Sequence, residues 1–302
     1  MSAVGESAAQ AAVLGSGAMA PEIAAALAAT GTRVCIAGRS PERAEEAAQR
    51  ARGFAGPAAG GDITAGPIEA RSFAAAALVV ETIVEDAGQK RELLGRVEGW
   101  CGPDTIIATN TSSLRIADLA AALARPDRFA GLHFLKPAHL TGVVEVIPGP
   151  DTDAGVVEVL VGVGEQMGKS PLVVRADEPG FIWNRIQFAV LRECLHMLEL
   201  GIADAADIDA AVSDGLAPRW VAAGPLATAD LGGLDTFTLV SRQLFPHLAS
   251  GDEVPQELEG RARDGRPFAP WATASGEAVG ALRAEALRSG REIAAMRKAI
   301  GG

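Results

Sequence analysis

A histidine and a glutamate in two neighbouring apolar runs, "FAGLHF" and "VVEVI", supply groups that can move a proton. His133 lies in the first run and Glu145 in the second, and the chain has only four histidines. A histidine oriented by a carboxylate acts as a general acid or base near neutral pH. Two consecutive strands joined by "KPAHLTG" could bring both side chains together. From spacing alone a structural pair is the commoner interpretation, and a proton-transfer pair is the alternative.

A glycine turn near the start of the chain has the pattern of a phosphate-binding site. "AVLGSGAMAPEIAAAL" places this turn between a predicted strand and a predicted helix. Glycines permit the bend and let backbone N–H groups and the helix N-terminus approach a pyrophosphate. An ordinary structural turn is the alternative. The predicted cofactor contacts here are Gly15, Ser16, Gly17, Ala18 and Met19.

The end of the second predicted strand, "RVCIAGRSPERA", bears on which dinucleotide binds. An acidic residue there would bond the adenosine ribose 2'-hydroxyl of NAD. This strand instead ends in Gly38, Arg39 and Ser40. Arg39 can pair with a 2'-phosphate, and Ser40 can donate to it and cap the next helix. The pattern predicts NADP rather than NAD, with a solvated arginine and a capping serine as the alternative.

Composition excludes several classes of protein. The chain has 302 residues, of which 48% are hydrophobic and 22% charged, enough for one large or two medium domains. A net charge of -11 argues against nucleic acid or anionic lipid as partners. Cys35, Cys101 and Cys194 lack the spacing of a metal site or a disulfide framework, which favours a reducing cytoplasm. Without a leader or a membrane-length apolar run, we expect a cytoplasmic protein that binds no membrane and no metal.

Strand and helix patterns alternate through the first part of the chain and then become helical only. Such alternation predicts a parallel sheet covered by helices on both faces. After Pro179 the strand signals stop. We therefore predict an α/β chain, with a Rossmann-like, mostly parallel dinucleotide-binding domain over residues 8–177. A smaller all-α substrate and dimerisation domain follows over residues 178–302, ending in an amphipathic helix after "PFAPW".

Six segments resemble, in order, the 3-hydroxyacyl-CoA dehydrogenase family. They are "VLGSGAMA", "VVETIVEDAGQKRELL", "ATNTSSLRI", "RFAGLHFLKPAHLTGVVEVI", "EPGFIWNRI" and "GPLATADLGGLDT". The segment "LAPRWVAAGPLATADL" is also similar to the lambda-crystallin/L-gulonate dehydrogenase branch. The family resemblance extends over most of the chain.

The resemblance implies roles for four residues. It makes His133 the general acid/base and Glu145 its orienting partner. It implies that Ser112 bonds the substrate hydroxyl or carbonyl and that Asn184 polarises the reacting thioester region. From the residues alone, Ser112 could shape a turn and Asn184 could cap a helix.

Three further positions match cofactor contacts in the family: Glu85, Lys90 and Asn110. The alternatives are a solvated helix face for Glu85 and Lys90 and a turn-shaping role for Asn110. The resemblance also implies a homodimer formed through the helical domain.

Two departures from the family bear on the substrate. Lys136 in "HFLKP" replaces an asparagine and could hold a substrate carboxylate or phosphate, or be solvated. A basic helical hairpin that carries much of CoA recognition is missing, because residues 53–66 are glycine-rich and contain no lysine or arginine. The missing hairpin weakens CoA as the substrate and favours a small free molecule or an acyl chain on a carrier protein.

These observations predict an oxidoreductase that prefers NADP. It would transfer hydride between the nicotinamide and the 3-hydroxy or 3-oxo carbon of a 3-hydroxyacyl compound, which is a CoA or carrier thioester or a free acid. One alternative is an NADPH-dependent imine reductase, since NADPH use and the missing hairpin also fit a small imine. Another is a non-catalytic, crystallin-like binding protein that keeps the fold.

Overall fold

The computed structural model describes residues 10–56, 60–270 and 276–301. The chain divides into two compact units that meet in sequence between Arg185 and Ile186. The predicted fold class is confirmed, because the first unit is an α/β sheet domain and the described part of the second is helical. The predicted domain bounds, 8–177 and 178–302, stay a prediction, and residues 8 and 9 lie outside the described ranges.

An eight-stranded sheet in the described residues has the order β3-β2-β1-β4-β5-β6-β7-β8. Neighbouring strands are parallel except for β6 and β7, which are antiparallel. The strands are β1 (Gln10–Leu14), β2 (Arg33–Gly38), β3 (Ile63–Pro67), β4 (Leu78–Glu81), β5 (Ile106–Thr109), β6 (Phe129–Phe134), β7 (Val143–Pro148) and β8 (Ser170–Val173).

Helices connect these strands, and several begin where the sequence offers a side-chain cap. They are α1 (Ala20–Ala28), α2 (Pro41–Ala55), α3 (Ala70–Phe73), α4 (Ala87–Glu98), α5 (Ile116–Ala120) and α6 (Ala154–Gln166), with a 3-10 turn at Pro126–Arg128. Ser40, Asp86 and Asp153 each accept a hydrogen bond from a first-turn amide of the helix that follows. The predicted capping by Ser40 is therefore confirmed.

Two apolar layers enclose the sheet, because successive side chains of a strand point to opposite faces. Ala11 and Val13 of β1 join one buried cluster, which also contains α1 side chains. Ala12 and Leu14 join the other, which contains Phe73 of α3. The alternation places the ends of the central strands between two layers of helices.

The glycine-rich stretch 53–66 carried no strand prediction, yet the structure has β3 there, and α3 after it was not predicted either. β3 pairs with β2 at the edge of the sheet, is only partly buried, and contains glycine and proline, which weaken a strand pattern. Residues 56–62 alone join α2 to β3, too few for a helical hairpin. Residues 57–59 of this link lie outside the described ranges.

The second unit continues α7 (Trp183–Glu199) from Ile186 onward. Further helices are α8 (Ala205–Ala210), α9 (Ala217–Ala222), α10 (Pro225–Gly232), α11 (Leu234–Leu244), α12 (Gln256–Asp264) and α13 (Gly276–Gly301), with a π turn at Ala211–Leu216 and a 3-10 turn at Phe245–His247. The predicted terminal helix is present as α13, while residues 271–275 of the predicted segment are not described. No helix within the described ranges is both long and apolar enough to cross a membrane.

Candidate active site

One edge of the sheet gathers the turns that carry the predicted site. β1, β4, β5 and β6 are parallel, so their carboxyl ends lie along the same edge. The turns that leave this edge are the nucleotide turn (residues 15–19), the β4–α4 turn (82–86), the Ser112 loop (110–115) and the Lys136 turn (135–142).

The two glycines of the nucleotide turn have different tasks. Gly15 has φ +122°, and a Cβ there would lie 2.7 Å from the carbonyl oxygen of Thr82. The fold itself therefore requires glycine at this position. A Cβ at Gly17 would come no closer than 4.0 Å to that oxygen. Glycine at this second position instead keeps the backbone open to the adjoining cavity.

A cavity of about 760 Å³ lies against the nucleotide turn, within the usual volume range of ligand sites. Its lining residues are Gly15, Ser16, Gly17, Ala18, Met19, Arg39, Ser40, Arg43, Ile68, Thr82, Ile83, Val84, Gln89, Glu92, Leu93 and Arg96. The predicted turn residues and the predicted pair Arg39 and Ser40 are among them. Open glycine backbone, the start of α1 and apolar walls together fit a dinucleotide.

At the β2 end of this cavity the structure adds charges that the sequence prediction did not use. Ser40 Oγ donates to Glu42 Oε2 at 2.6 Å and accepts from the amide of Arg43. The hydrogen bond from Ser40 lowers the pKa of the Glu42 carboxyl. Arg43 lines the cavity beside Arg39. Arg43 follows the capping Ser40 by three residues, and residues three apart are neighbours on the surface of a helix. This spacing was the signal in the sequence that Arg43 would lie near Ser40.

His133 and Glu145 occupy opposed positions on β6 and β7. Side chains directly opposite in an antiparallel pair share one face of the sheet. His133 Nδ1 lies 2.6 Å from Glu145 Oε2, and the two residues are 3% and 0% exposed. The structure therefore joins the two residues in a buried contact.

Several donors keep the Glu145 carboxylate ionised. Burial would raise its pKa, but hydrogen bonds from His133 and from the amides of Trp183 and Ile182 outweigh burial and lower it. Both amides lie 2.9 Å from Oε1. Because an ionised carboxylate only accepts, Nδ1 of His133 carries the proton and donates to Glu145. Nε2 is then the ring atom that can exchange a proton.

Phe181 is a site residue that the sequence prediction missed. It adopts φ +50°, is 2% exposed, and contacts the His133 ring in a T-shaped arrangement with 5.6 Å between ring centroids. Left-handed backbone at a bulky residue is costly and needs support from its surroundings. This turn leads directly into the amides that bind Glu145. The sequence signal for a special turn here was "PGF", in which a glycine precedes an aromatic residue at the end of the α/β domain.

Ser112 completes the contact chain at His133. Its Oγ lies 3.2 Å from Nε2 of His133. Glu85 Oε1 accepts from the amides of Ser112 and Ser113 at 2.8 and 3.0 Å. Asn184 Nδ2 donates to the Ser112 carbonyl at 3.1 Å. Three of the predicted residues thus converge on Ser112.

Lys90 supports this loop from a buried position. Its Nζ lies 2.7 Å from Glu81 Oε1 and 3.4 Å from Glu85 Oε2, and Lys90 is 1% exposed. The alternative of a solvated helix face is wrong for Lys90. Burial would raise the pKa of Glu85, but hydrogen bonds from Thr111 and the Ser112 loop and the Lys90 charge lower it. The sequence prediction missed Glu81 as a site residue. Glu81 belongs to the buried strand β4, so its surroundings in the sequence are apolar and do not mark it as functional.

Asn110 ties the strand ends together. Its Oδ1 accepts from the amide of Phe134 at 2.7 Å, and its Nδ2 donates to Thr82 Oγ1 at 3.3 Å. Glu85, Lys90 and Asn110 are not among the residues that line the cavity. Their predicted contact with the cofactor stays a prediction.

The contact order Ser112, His133, Glu145 also occurs in hydrolases, but the surroundings do not fit acyl transfer. Such a reaction needs N–H donors aimed at a developing oxyanion. The amides of Ser112 and Ser113 donate to Glu85, and that of Leu114 donates to Thr111. Glu85 also brings a negative charge next to Ser112. A buried histidine–carboxylate pair and a cavity that fits a dinucleotide, at one edge of a Rossmann-like sheet, are the arrangement expected of nicotinamide-dependent oxidoreductases.

Comparison with known families gives the same class. Residues 10–178 match the domain described as "3-hydroxyacyl-CoA dehydrogenase, NAD binding domain", and residues 180–264 match its C-terminal domain. The chain belongs to the 3-hydroxyacyl-CoA dehydrogenase family and is an oxidoreductase.

Similar proteins include a pyridine carboxylate dehydrogenase and a hydroxyacyl-CoA dehydrogenase. The chain is 35% identical over 259 residues to 5-formyl-3-hydroxy-2-methylpyridine 4-carboxylate 5-dehydrogenase of Mesorhizobium japonicum, covering 82% of this chain and 84% of that protein. A crystal structure of an enzyme of that description, called an NAD+-dependent dismutase, has TM-score 0.83 and 29% identity, covering 96% and 98% of the two chains. The mitochondrial hydroxyacyl-coenzyme A dehydrogenase of Sus scrofa is 43% identical over 159 residues, which span 53% of this chain and 49% of that protein.

Proposed function

We propose that this protein oxidises and reduces the 3-hydroxy or 3-oxo carbon of a small acyl compound, with His133 moving the proton. The observation that carries the proposal is the contact chain from Ser112 through His133 to Glu145. It consists of contacts of 3.2 and 2.6 Å at the sheet edge that also bears the nucleotide turn. When bound, the nicotinamide cofactor supplies the hydride acceptor or donor.

His133 and its neighbours divide the work of proton transfer. In the oxidative direction Ser112 Oγ and His133 Nε2 hold the substrate hydroxyl, and Nε2 accepts its proton as the carbonyl forms. Glu145 stabilises the imidazolium ion that results and prevents the ring from turning. In the reductive direction the same nitrogen returns the proton. Asn184, held against Ser112, polarises the acyl group next to the reacting carbon.

Two features of the chain support a free carboxylate as one end of the substrate. Residues 56–62 leave no room for a basic CoA-binding hairpin, and Lys136 is exposed in the turn directly after β6. In sequence, the pyridine carboxylate dehydrogenase aligns over most of both chains, whereas the mitochondrial hydroxyacyl-coenzyme A dehydrogenase aligns over about half. We propose that Lys136 binds the substrate carboxylate, and an acyl chain on a carrier protein is the second form to test.

The preference for NADP is a separate proposal about the cofactor. Arg39 and Arg43 line the cavity on the side of β2, where they can pair with a 2'-phosphate. Glu42 opposes this preference, because its carboxylate holds the Ser40 hydroxyl at 2.6 Å. The solved relative is described as NAD+-dependent. Two arginines against one glutamate favour a bound 2'-phosphate, and we expect Arg39 to determine the preference for NADP over NAD.

A cofactor-monitored screen tests the proposed reaction. Purified protein is mixed with NADPH or NADH and one of five probes: acetoacetate, a formylpyridine carboxylate, acetoacetyl-CoA, an acetoacetyl carrier protein and a cyclic imine. We expect kcat/KM for a free acid to exceed that for acetoacetyl-CoA at least about tenfold, the effect of one charge-assisted contact. Preference for the CoA thioester would contradict the free-acid assignment. Turnover of the imine alone would favour the imine reductase, and tight cofactor binding without any turnover the crystallin-like alternative.

The helical unit is proposed to form a homodimer. Large apolar side chains of α10 and α11 are exposed, including Leu226 at 85% and Leu231 at 81%. Patches of this kind mark interaction surfaces. Light scattering should give twice the monomer mass, and Leu226→Glu combined with Leu231→Glu should give monomers. A monomeric parent chain would end this proposal.

A cytoplasmic location is proposed from the thiols. Cys35, Cys101 and Cys194 are free, and burial raises the pKa of each, that of Cys101 to about 11. Cysteines that stay unpaired are typical of proteins in a reducing compartment.

A further inference from the structure

The Lys136 turn is held by two buried side chains of opposite charge that bind the same residue. Glu22 Oε2 accepts from the amide of Ala138 at 2.5 Å, and Lys169 Nζ donates to the Ala138 carbonyl at 2.6 Å. Glu22 and Lys169 are each only 6% exposed. Both backbone polar groups of Ala138, two residues after Lys136, are thus bound by charged groups.

The rest of the turn is tied in the same way. Lys169 Nζ also donates to the carbonyl of Thr141 at 2.6 Å. The Pro137 carbonyl accepts from the amides of Leu140 and Thr141 at 3.1 and 2.9 Å. The backbone that follows Lys136 is therefore bound at nearly every step through Thr141, although it belongs to a loop.

Burying two ionised groups beside a loop is expensive unless their hydrogen bonds and mutual charges compensate it. An uncharged loop anchor would suffice for stability alone, since well-packed apolar groups often replace buried ions without loss. Charge-assisted hydrogen bonds are shorter and stronger than neutral ones, so they fix a backbone more closely. The charged hydrogen bonds therefore indicate that the backbone of the turn is held in a defined position, beyond what stability alone requires.

Glu22 also joins two parts of the site. It lies in the first turn of α1, directly after the nucleotide turn, yet it is not among the residues that line the cavity. Its carboxylate faces the Lys136 turn instead of the dinucleotide cavity. The N-terminal end of α1 thus adjoins the cofactor cavity on one side. On the other side, Glu22 in its first turn binds the backbone next to Lys136.

We infer that Glu22 and Lys169 are positioning residues that set substrate specificity by holding Lys136 where a substrate carboxylate binds. This inference rests on the proposed role of Lys136. Removing either anchor loosens the backbone next to Lys136 and weakens binding of the charged substrate. It leaves the cofactor cavity and the His133 contacts in place.

Kinetics with a charged and a neutral probe test the inference. Acetoacetate carries the carboxylate, and acetoacetamide has the same reacting carbon without the charge. We expect Glu22→Ala to raise KM for acetoacetate about tenfold, the loss of one charge-assisted contact between Lys136 and the substrate carboxylate. KM for acetoacetamide and Kd for NADPH should change less than about twofold, within the error of such comparisons. Glu22→Gln, which can still accept from Ala138, should restore most of the affinity, and Glu158→Ala on the exposed face of α6 is the matched control.

A double-mutant cycle separates positioning from general stability. Because Glu22 acts through Lys136, Glu22→Ala with Lys136→Ala should bind acetoacetate no more weakly than Lys136→Ala alone. Additive losses, or equal KM increases for both probes, would overturn the inference. If Glu22→Ala does not fold, Lys169→Met tests the same turn from the other side with the same expected pattern.

Hydrogen exchange tests the anchoring of the Lys136 turn, the structural premise of the inference, independently of turnover. Peptides covering residues 135–142 should exchange faster in Glu22→Ala, while peptides covering β4 and β5 stay unchanged. Unchanged exchange in the Lys136 turn overturns the inference even if the enzyme is active. Absence of turnover in the parent protein with every probe contradicts the proposed function instead, and faster exchange would still establish Glu22 as the anchor of the turn.

Discussion

Nδ1 of His133 lies 2.6 Å from Oε2 of Glu145, on strands that pair these two residues directly. The lowered pKa of Glu145 keeps the carboxylate ionised, so Nδ1 carries the ring proton and the Nε2 that faces Ser112 is an acceptor. A cross-strand pair is a rigid way to fix a tautomer, because the backbone hydrogen bonds of the sheet set the separation. The proposed chemistry depends on this pair more than on any other contact.

Glu145→Gln should lower kcat by about 10²–10⁴-fold, the usual effect of disabling a general acid/base. A glutamine amide can donate to Nδ1 and so favour the wrong tautomer, while its size and most of its hydrogen bonds are kept. The measurement is kcat with acetoacetate and NADPH between pH 5 and pH 9. Glu158→Gln on α6 is the control, and an unchanged kcat for Glu145→Gln would remove the carboxylate from the mechanism.

Acid stability should depend on Glu145 in a predictable direction. Its folded pKa lies below the ordinary value of 4.5, so the unfolded chain binds a proton more readily as pH falls. The carboxylate therefore contributes stability that is fully present above about pH 4.5 and is lost as pH falls through the lowered pKa. Urea unfolding at pH 7 and pH 3.5 should show a smaller difference for Glu145→Gln than for the parent. An equal or larger difference would contradict this linkage.

The two glycines of the nucleotide turn should respond differently to alanine. Gly15→Ala places a Cβ 2.7 Å from the Thr82 carbonyl at φ +122°, and should reduce the free energy of unfolding by about 1–3 kcal/mol. Gly17→Ala should leave the free energy of unfolding within about 0.5 kcal/mol. It should nevertheless raise Kd for the cofactor about tenfold by filling the approach to the pyrophosphate. Urea unfolding and fluorescence titration measure the two effects, and the reverse pattern would exclude this division of tasks.

Arg39→Ala tests the cofactor preference. Loss of a phosphate contact should lower kcat/KM for NADPH about tenfold and leave kcat/KM for NADH within about twofold. Glu42→Gln is the companion variant, and it should favour NADPH further by removing a negative charge. A parent enzyme that prefers NADH, with a preference that Arg39→Ala leaves unchanged, would end the NADP proposal.

Parts of the fold and of the site could be predicted from the sequence where a local strand or turn pattern also contains a chemically reactive or flexible residue. β6 and β7 are continuous apolar runs, so His133 and Glu145 could be placed on consecutive strands before their contact was known. The nucleotide turn follows from the order strand, glycines and helix. The edge strand β3 escaped detection because its glycine, proline and half-buried side chains resemble those of a loop.

Contacts between distant polar residues could not be read from the sequence. Glu22 looks like an ordinary first-turn acid of α1, but its partner, the amide of Ala138, lies 116 positions away. In the sequence Lys90 looks like a surface residue of α4. In the fold it is buried, and its partner Glu81 lies on the neighbouring strand β4. Such partners depend on tertiary contacts, whereas helix and strand patterns depend on near neighbours.

The role of His133 as proton carrier is tested by the kinetics of His133→Gln together with its cofactor affinity. With acetoacetate and NADPH at saturation, kcat should fall by about 10²–10⁴-fold, because the side chain no longer exchanges a proton. Kd for NADPH should match that of the parent within about twofold, since His133 does not line the dinucleotide cavity. Turnover close to that of the parent protein would contradict the assignment of His133 as the proton carrier.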